Sequence, residues 1–175
     1  MSDVTWIFGY GSLMWDPGFP WAERHPALVR GYHRAFCIWS HKYRGTPERP
    51  GLVLGLDLGG SCRGMAYRVR DRDVAAVMAY LHEREMLHYV YLQGRLRAHL
   101  PDGREVRAHA YIADRSHDRY AGRLDPGEAA RIIAAGRGER GSNRRYLENT
   151  VDHLDELGVP DGPLHRIREL LPDPR

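Results

Sequence analysis

Trp6-Ile7-Phe8-Gly9-Tyr10-Gly11-Ser12-Leu13-Met14-Trp15 is the stretch on which the fold turns. The apolar, aromatic run from Val4 to Phe8 reads as a short buried strand. Gly9 ends it, and Gly9-Tyr10-Gly11-Ser12 reads as a tight turn, because glycine reaches backbone angles closed to other residues. Two glycines after a strand raise the dinucleotide-binding fold, but its fingerprint needs a third glycine where this chain has Met14. Asp16-Pro17-Gly18 also breaks the helix that should follow. A doubly wound sheet is therefore excluded. Two readings of the turn stay open. It is a structural turn, or it is a nest of converging backbone N–H groups that holds a carboxylate or an oxyanion.

Outward from this turn, Leu28 to Ser40 reads as a strand and His41 to Gly51, with Gly45, Pro47 and Pro50, as a loop. Leu52 to Leu58 and Gly64 to Val69 read as two strands reversed at Gly59-Gly60. Asp71 to Glu85 is a helix, with Asp71 or Asp73 as its cap and Val74, Val77, Met78 and Leu81 as its apolar stripe. Tyr89 to His99 and Val106 to Ile112 form a hairpin around Pro101-Asp102-Gly103. Asp125-Pro126-Gly127-Glu128 opens a second helix, which runs to about Ala135. Gly136 to Ser142 is a glycine-rich connection. A third helix runs from Asn143 to Leu157, stopped by Gly158, and a last one from Gly162-Pro163 to Leu171. Strands come first and helices gather late, which predicts a single α+β domain over residues 1–175, with a mainly antiparallel curved sheet or barrel.

Composition narrows the function. The 175 residues are 42% hydrophobic and 28% charged, as in ordinary globular proteins. Lys42 is the only lysine among 26 basic residues, which removes most routes to Schiff-base or P-loop chemistry. Arginine alternates with acid, as in Arg70-Asp71-Arg72-Asp73, so a salt-bridged surface is expected and no nucleic-acid partner. Cys37 and Cys62 fit no zinc spacing and read as buried thiols in a reducing compartment. Met1-Ser2-Asp3-Val4 lacks a basic segment followed by an apolar run, and no stretch approaches 18 apolar residues. A cytoplasmic protein with neither signal peptide nor membrane span is expected.

Three further motifs bear on chemistry. The stripe through Val77, Met78 and Leu81 puts Glu85, four residues after Leu81, on the same face. Glu83 falls about 160° away and belongs in water. A carboxylate on the core face of a helix C-terminus is disfavoured by burial and by the helix dipole, and both raise its pKa. Such a group suits proton transfer near neutral pH, or it is half of a buried ion pair with an arginine. His82-Glu83 lacks the second histidine of a zinc helix, since position 86 is Met86. No metal is expected. Ser12 lacks the flanking glycines of a nucleophile elbow.

These residues resemble a known family. Trp6 to Trp15 is similar to the opening signature of the ChaC-type γ-glutamylcyclotransferases. Gly31-Tyr32-His33-Arg34-Ala35-Phe36-Cys37 resembles the next block, followed by Arg44-Gly45-Thr46-Pro47 with Pro50-Gly51. Gly64-Met65-Ala66-Tyr67-Arg68, Arg84-Glu85-Met86 with Tyr89, and Gly141-Ser142-Asn143 with Tyr146-Leu147 complete the series. These blocks run in family order from residue 6 to about residue 150. The resemblance implies a small mixed β-barrel or curved sheet flanked by helices, and cleavage of glutathione to 5-oxoproline and Cys-Gly. It implies Glu85 as the acid/base. It implies substrate binding by Ile7, Phe8, Gly9, Tyr10, Gly11, Ser12 and Leu13, with Arg44, Tyr111 and Tyr146. It implies no cofactor, and glutathione or a related γ-glutamyl compound as the small-molecule partner. Other γ-glutamyl amines or amino acids, or a non-catalytic binding protein of the same fold, are the alternatives. Leu87-His88 and Arg140-Gly141-Ser142 depart from the usual small-residue runs, which bears on substrate fit.

Overall fold

The computed structural model describes residues 3–86 and 90–174. The expected hairpin start at Tyr89 and the departure at Leu87-His88 lie outside them. Five strands, β1 (Trp6–Gly9), β2 (Glu23–Ser40), β3 (Gly51–Arg68), β4 (Tyr91–His99) and β5 (Glu105–Ala113), close into a barrel in the order β1-β3-β2-β4-β5. The helices are α1 (Val74–Glu85), α2 (Pro126–Ala135), α3 (Asn143–Glu156) and α4 (Gly162–Glu169). The class is α+β, as expected. β1 runs antiparallel to β3, from Trp6 opposite Arg68 to Gly9 opposite Met65. It runs parallel to β5, with Trp6 opposite Ala108 and Ile7 opposite His109. That one parallel pair makes the barrel mixed. No helix among the described residues is long and apolar enough to cross a membrane.

The chain divides into two compact units. The first comprises Met1–Arg34 with Leu56–Asp114. Its core includes Ile7, Phe8, Leu56, Ala66, Tyr67, Ala108 and Ala110, each out of solvent. β4 and β5 form the expected hairpin, in register from Tyr91 opposite Ala113 to His99 opposite Glu105. Along α1, Val77 and Leu81 are buried while Glu83 is exposed, so the apolar stripe reads true.

Two local expectations fail here. β3 runs unbroken through Gly59 and Gly60, although both have positive φ, 106° and 69°. Left-handed residues can bend and twist a strand, as in a bulge, without reversing it. Of the two expected caps, Asp73 does not serve. A 3₁₀ turn, Asp71–Asp73, leads into α1, and Asp73 at the N-cap makes no side-chain cap bond. Its backbone is already helical, with φ −100° and ψ −11°, whereas a capping carboxylate needs an extended residue to face the free N–H groups.

An ion cluster joins several strands of this unit. The Glu23 carboxylate accepts from Arg68 Nε at 2.6 Å and from Arg104 Nη2 at 3.0 Å, and lies 3.0 Å from His25 Nε2. The His25 and Arg104 contacts, then Arg68, hold its pKa down to about 2 against the opposing pull of burial. Above the ordinary value of 4.5 the carboxylate is ionised whether folded or not, and its stabilisation is fully present. That stabilisation is lost as pH falls through about 2. Glu23→Gln is expected to lower Tm at pH 7 and to flatten its decline from pH 4.5 towards 2. Thermal melts across that range check this, and parallel curves for the two proteins would refute it.

The second unit comprises Ala35–Gly55 with Arg115–Arg175. Ala129, Ile133, Leu147, Val151, Leu154, Leu164 and Ile167 bury the facing sides of its three helices. Each helix has a side-chain cap. Asp125 accepts from the N–H groups of Gly127 and Glu128, Ser142 from Arg145, and Asp161 from Leu164. The glycine-rich connection contains a small ladder, β6 (Arg137–Gly138) with β7 (Gly141–Ser142). Asn143 is wholly buried at the start of α3. It accepts from Leu52 N–H at 2.7 Å and donates to the Leu52 carbonyl at 2.8 Å, clasping β3 by its backbone.

Candidate active site

The site begins where β1 gives way to the glycine loop. Neither Gly9 nor Gly11 needs a left-handed backbone; Gly11 has φ −130°. Gly9 is required for a different reason. A Cβ there would lie 2.9 Å from the Leu13 Cβ, because the chain folds back at once into a 3₁₀ turn, Ser12–Met14. Within that turn Met14 N–H donates to the Gly11 carbonyl, and Asp16 N–H to the Ser12 carbonyl.

The loop is then fastened from outside through its remaining carbonyls. Arg34, almost wholly buried on β2, donates to the Tyr10 carbonyl and, at 2.6 Å, to that of Arg63. The buried Tyr67 hydroxyl sits 2.7 Å from the Leu13 carbonyl and 2.9 Å from that of Met14, and donates to them. Arg24 donates to the Met14 carbonyl at 2.9 Å. With its carbonyls tied down, the loop leaves N–H groups over. Among the described residues, no hydrogen bond runs from the N–H of Gly11, Ser12 or Leu13. Ile7 and Phe8 have fully buried side chains, so they set the position of the loop rather than offering polar groups.

Glu85 is the last residue of α1, and its side chain is 19% exposed. Burial pushes its pKa up, and the neighbouring Arg84 pulls it part of the way back. Arg84 Nε stands 3.5 Å from Glu85 Oε1, outside hydrogen-bonding range. Tyr111, on β5, feels the charge of the same carboxylate. Its hydroxyl is pushed up to about 12, first by burial and then by the charge of Glu85. That hydroxyl is buried and has no hydrogen-bond partner among the described residues. A buried hydroxyl left without a partner is costly, on the order of 1–3 kcal/mol, and marks a place where another molecule can complete the network.

Glu85, Tyr111 and the loop from Ile7 to Leu13 thus fall in the first unit. Arg44 and Tyr146 belong to the second and meet each other there. The Arg44 guanidinium lies 5.0 Å from the centre of the Tyr146 ring and donates to the Arg140 carbonyl at 2.8 Å. Burial lowers the Arg44 pKa. Three residues that hold the site together were not singled out by pattern: Arg34, Tyr67 and Arg84. All three sit inside the blocks of family resemblance, which was the available signal. Helical periodicity could not find Arg84, because it is a charged neighbour of the apolar stripe rather than part of it.

The chain is similar to known proteins along most of its length. The family model described as ChaC-like protein matches residues 5–172. An Escherichia coli K12 protein named glutathione-specific gamma-glutamylcyclotransferase is 38% identical over 161 residues, which covers 92% of this chain and 70% of the relative. An Arabidopsis thaliana protein named gamma-glutamylcyclotransferase 2-3 is 33% identical, covering 90% of this chain and 83% of its own. A crystal structure of a yeast gamma-glutamyl cyclotransferase specific to glutathione superposes with a TM-score of 0.86 at 22% identity. That superposition covers 97% of this chain and 96% of the yeast chain, and it shows the common fold.

Proposed function

This chain belongs to the ChaC-like family, and from that premise we propose that it is a γ-glutamylcyclotransferase that splits glutathione into 5-oxoproline and cysteinylglycine. The observation that carries the reading is a largely buried carboxyl, Glu85, with a raised pKa, whose charge acts on a buried tyrosine hydroxyl, Tyr111, that has no hydrogen-bond partner among the described residues. A site that must take up a proton and give it back needs such a carboxyl.

The chemistry asks little else of the protein. A γ-glutamyl group carries its own nucleophile, the α-amine. That nitrogen attacks the γ-carbonyl carbon and closes a five-membered lactam. The amide C–N bond then breaks, and the departing amine takes a proton. Because the attack is intramolecular, holding the substrate in its folded shape supplies most of the acceleration. Glu85, ionised, removes a proton from the α-ammonium and passes it to the leaving nitrogen. It then takes the second proton that the attacking nitrogen sheds as it becomes the lactam N–H. That proton leaves with the departing ammonium, so the carboxylate is regenerated. The unused N–H groups of Gly11, Ser12 and Leu13 receive the α-carboxylate or the developing oxyanion. The Tyr111 hydroxyl donates to a substrate oxygen. The buried thiols Cys37 and Cys62 accord with a reducing compartment such as the cytoplasm.

The test is 5-oxoproline release from a panel of glutathione, γ-glutamyl-amino acids and γ-glutamyl amines. Glutathione is expected to give the highest kcat/KM, by at least about tenfold, if the site distinguishes leaving groups by their contacts. Equal rates across the panel would remove the glutathione assignment. No 5-oxoproline from any member would remove the cyclotransferase reading itself.

A further inference from the structure

Arg84 adjoins Glu85 in sequence, yet its guanidinium is spent on the other side of the site. Nη2 donates to the Ser12 hydroxyl at 2.8 Å. Nη1 donates to the Asp16 carbonyl at 3.0 Å, to the Pro17 carbonyl at 3.2 Å and to the Tyr80 hydroxyl at 2.8 Å. Three of those four acceptors belong to the glycine loop and the segment that follows it. The segment is shaped to meet them. Gly18 has φ +72°, and a Cβ there would collide with the Tyr80 hydroxyl at 2.2 Å. A planar guanidinium held by acceptors at both terminal nitrogens has little freedom left. Its Nε then faces Glu85 Oε1 at 3.5 Å, close enough for charge attraction and too far for a hydrogen bond.

We infer that Arg84 is a positioning residue for proton transfer: it ties the end of α1 to the Ser12–Pro17 segment and so fixes the Glu85 carboxylate, with its charge set, beside the glycine loop. The inference rests on the cyclotransferase reading of the site. Among the described residues, the charged and titratable groups that act on Glu85 are Arg84 on its own helix and Tyr111 from β5. Removing the arginine leaves burial and Tyr111 as the neighbours of the carboxyl, so its pKa rises further. Because Glu85 works as a base, the acid limb of the kcat/KM profile moves to higher pH.

The experiment compares wild type, Arg84→Gln, Arg84→Lys and Glu85→Gln by 5-oxoproline release from glutathione across pH, with Tm measured for each. Arg84→Gln is expected to lose about a hundredfold in kcat, as a misplaced acid/base does, with KM changed only a few-fold and the acid limb shifted upward. Arg84→Lys restores the charge without the fork. It is expected to return the limb to its wild-type place while kcat stays low. An Arg84→Gln variant with an unmoved limb and kcat within about threefold of wild type overturns the inference. If Arg84→Gln does not fold, Arg84→Lys decides, because wild-type kcat in that variant also overturns it. An inactive wild type fails the cyclotransferase reading instead, and an active Glu85→Gln fails the acid/base assignment, so these failures are told apart from that of the inference.

Discussion

Glu85→Gln is expected to lower kcat for 5-oxoproline release by about 10²–10⁴-fold while the protein stays folded. The two side chains have nearly the same shape, so packing around the end of α1 is preserved. Glutamine cannot take up and return a proton, so only the chemistry is removed. The sign of the stability change is a second readout. Burial raises the Glu85 pKa, which means that the fold bears a cost for keeping this carboxylate ionised. Removing the charge should leave Tm unchanged or slightly higher. Activity and stability then move in opposite directions, as expected of a site residue kept for function. Glu83 is the matched control, since it lies on the same turn of the helix with its side chain in water. Glu83→Gln should leave kcat within about twofold and Tm within a degree or so, as surface substitutions do. Steady-state kinetics and thermal melts on the two variants check the pair, and substantial turnover by Glu85→Gln would refute the acid/base assignment.

Asn143→Ala is expected to be the most damaging polar truncation in the second unit. Asn143 and Leu52 are both fully buried, and one side-chain amide satisfies both the N–H and the carbonyl of Leu52. Alanine leaves two buried backbone groups without partners. At about 1–3 kcal/mol for each, the loss is roughly 2–6 kcal/mol, or on the order of 10 °C in Tm. Asn143→Asp should be no milder, because it keeps the acceptor for the N–H but loses the donor and brings a charge into the core. Urea titration measures the difference. A loss below about 1 kcal/mol would show that water or local rearrangement replaces the clasp.

What could be read in the sequence has a common physical basis. Glu85 was legible because an apolar stripe of helical spacing leaves one inward position for a carboxylate. The starts of α2 and α4 were legible because aspartate and proline act locally on the backbone. What could not be read depends on partners distant in the chain. Gly59-Gly60 carries the composition of a turn, and only the neighbouring strands decide that β3 continues through it. Asn143 reads as the first residue of a helix, and its partner Leu52 is supplied by tertiary structure. Arg84 reads as a solvated charge until the Ser12–Pro17 segment is brought against it. The parallel pairing of β1 with β5 has no local signature at all.

That pairing governs when the enzyme comes into being. β1 precedes both of its neighbours by a long stretch of chain, with Met65 opposite Gly9 and His109 opposite Ile7. Joining segments so far apart in sequence has an entropic cost that only the completed barrel offsets. The glycine loop follows β1 directly, and Arg34 of β2 and Tyr67 of β3 also hold its carbonyls, so its place depends on strands spread along the chain. A nascent chain or a clipped fragment that ends before β5 carries Glu85 and the loop, but β1 lacks one of its two neighbours. On the proposed reading, full turnover is therefore expected only once the barrel has closed.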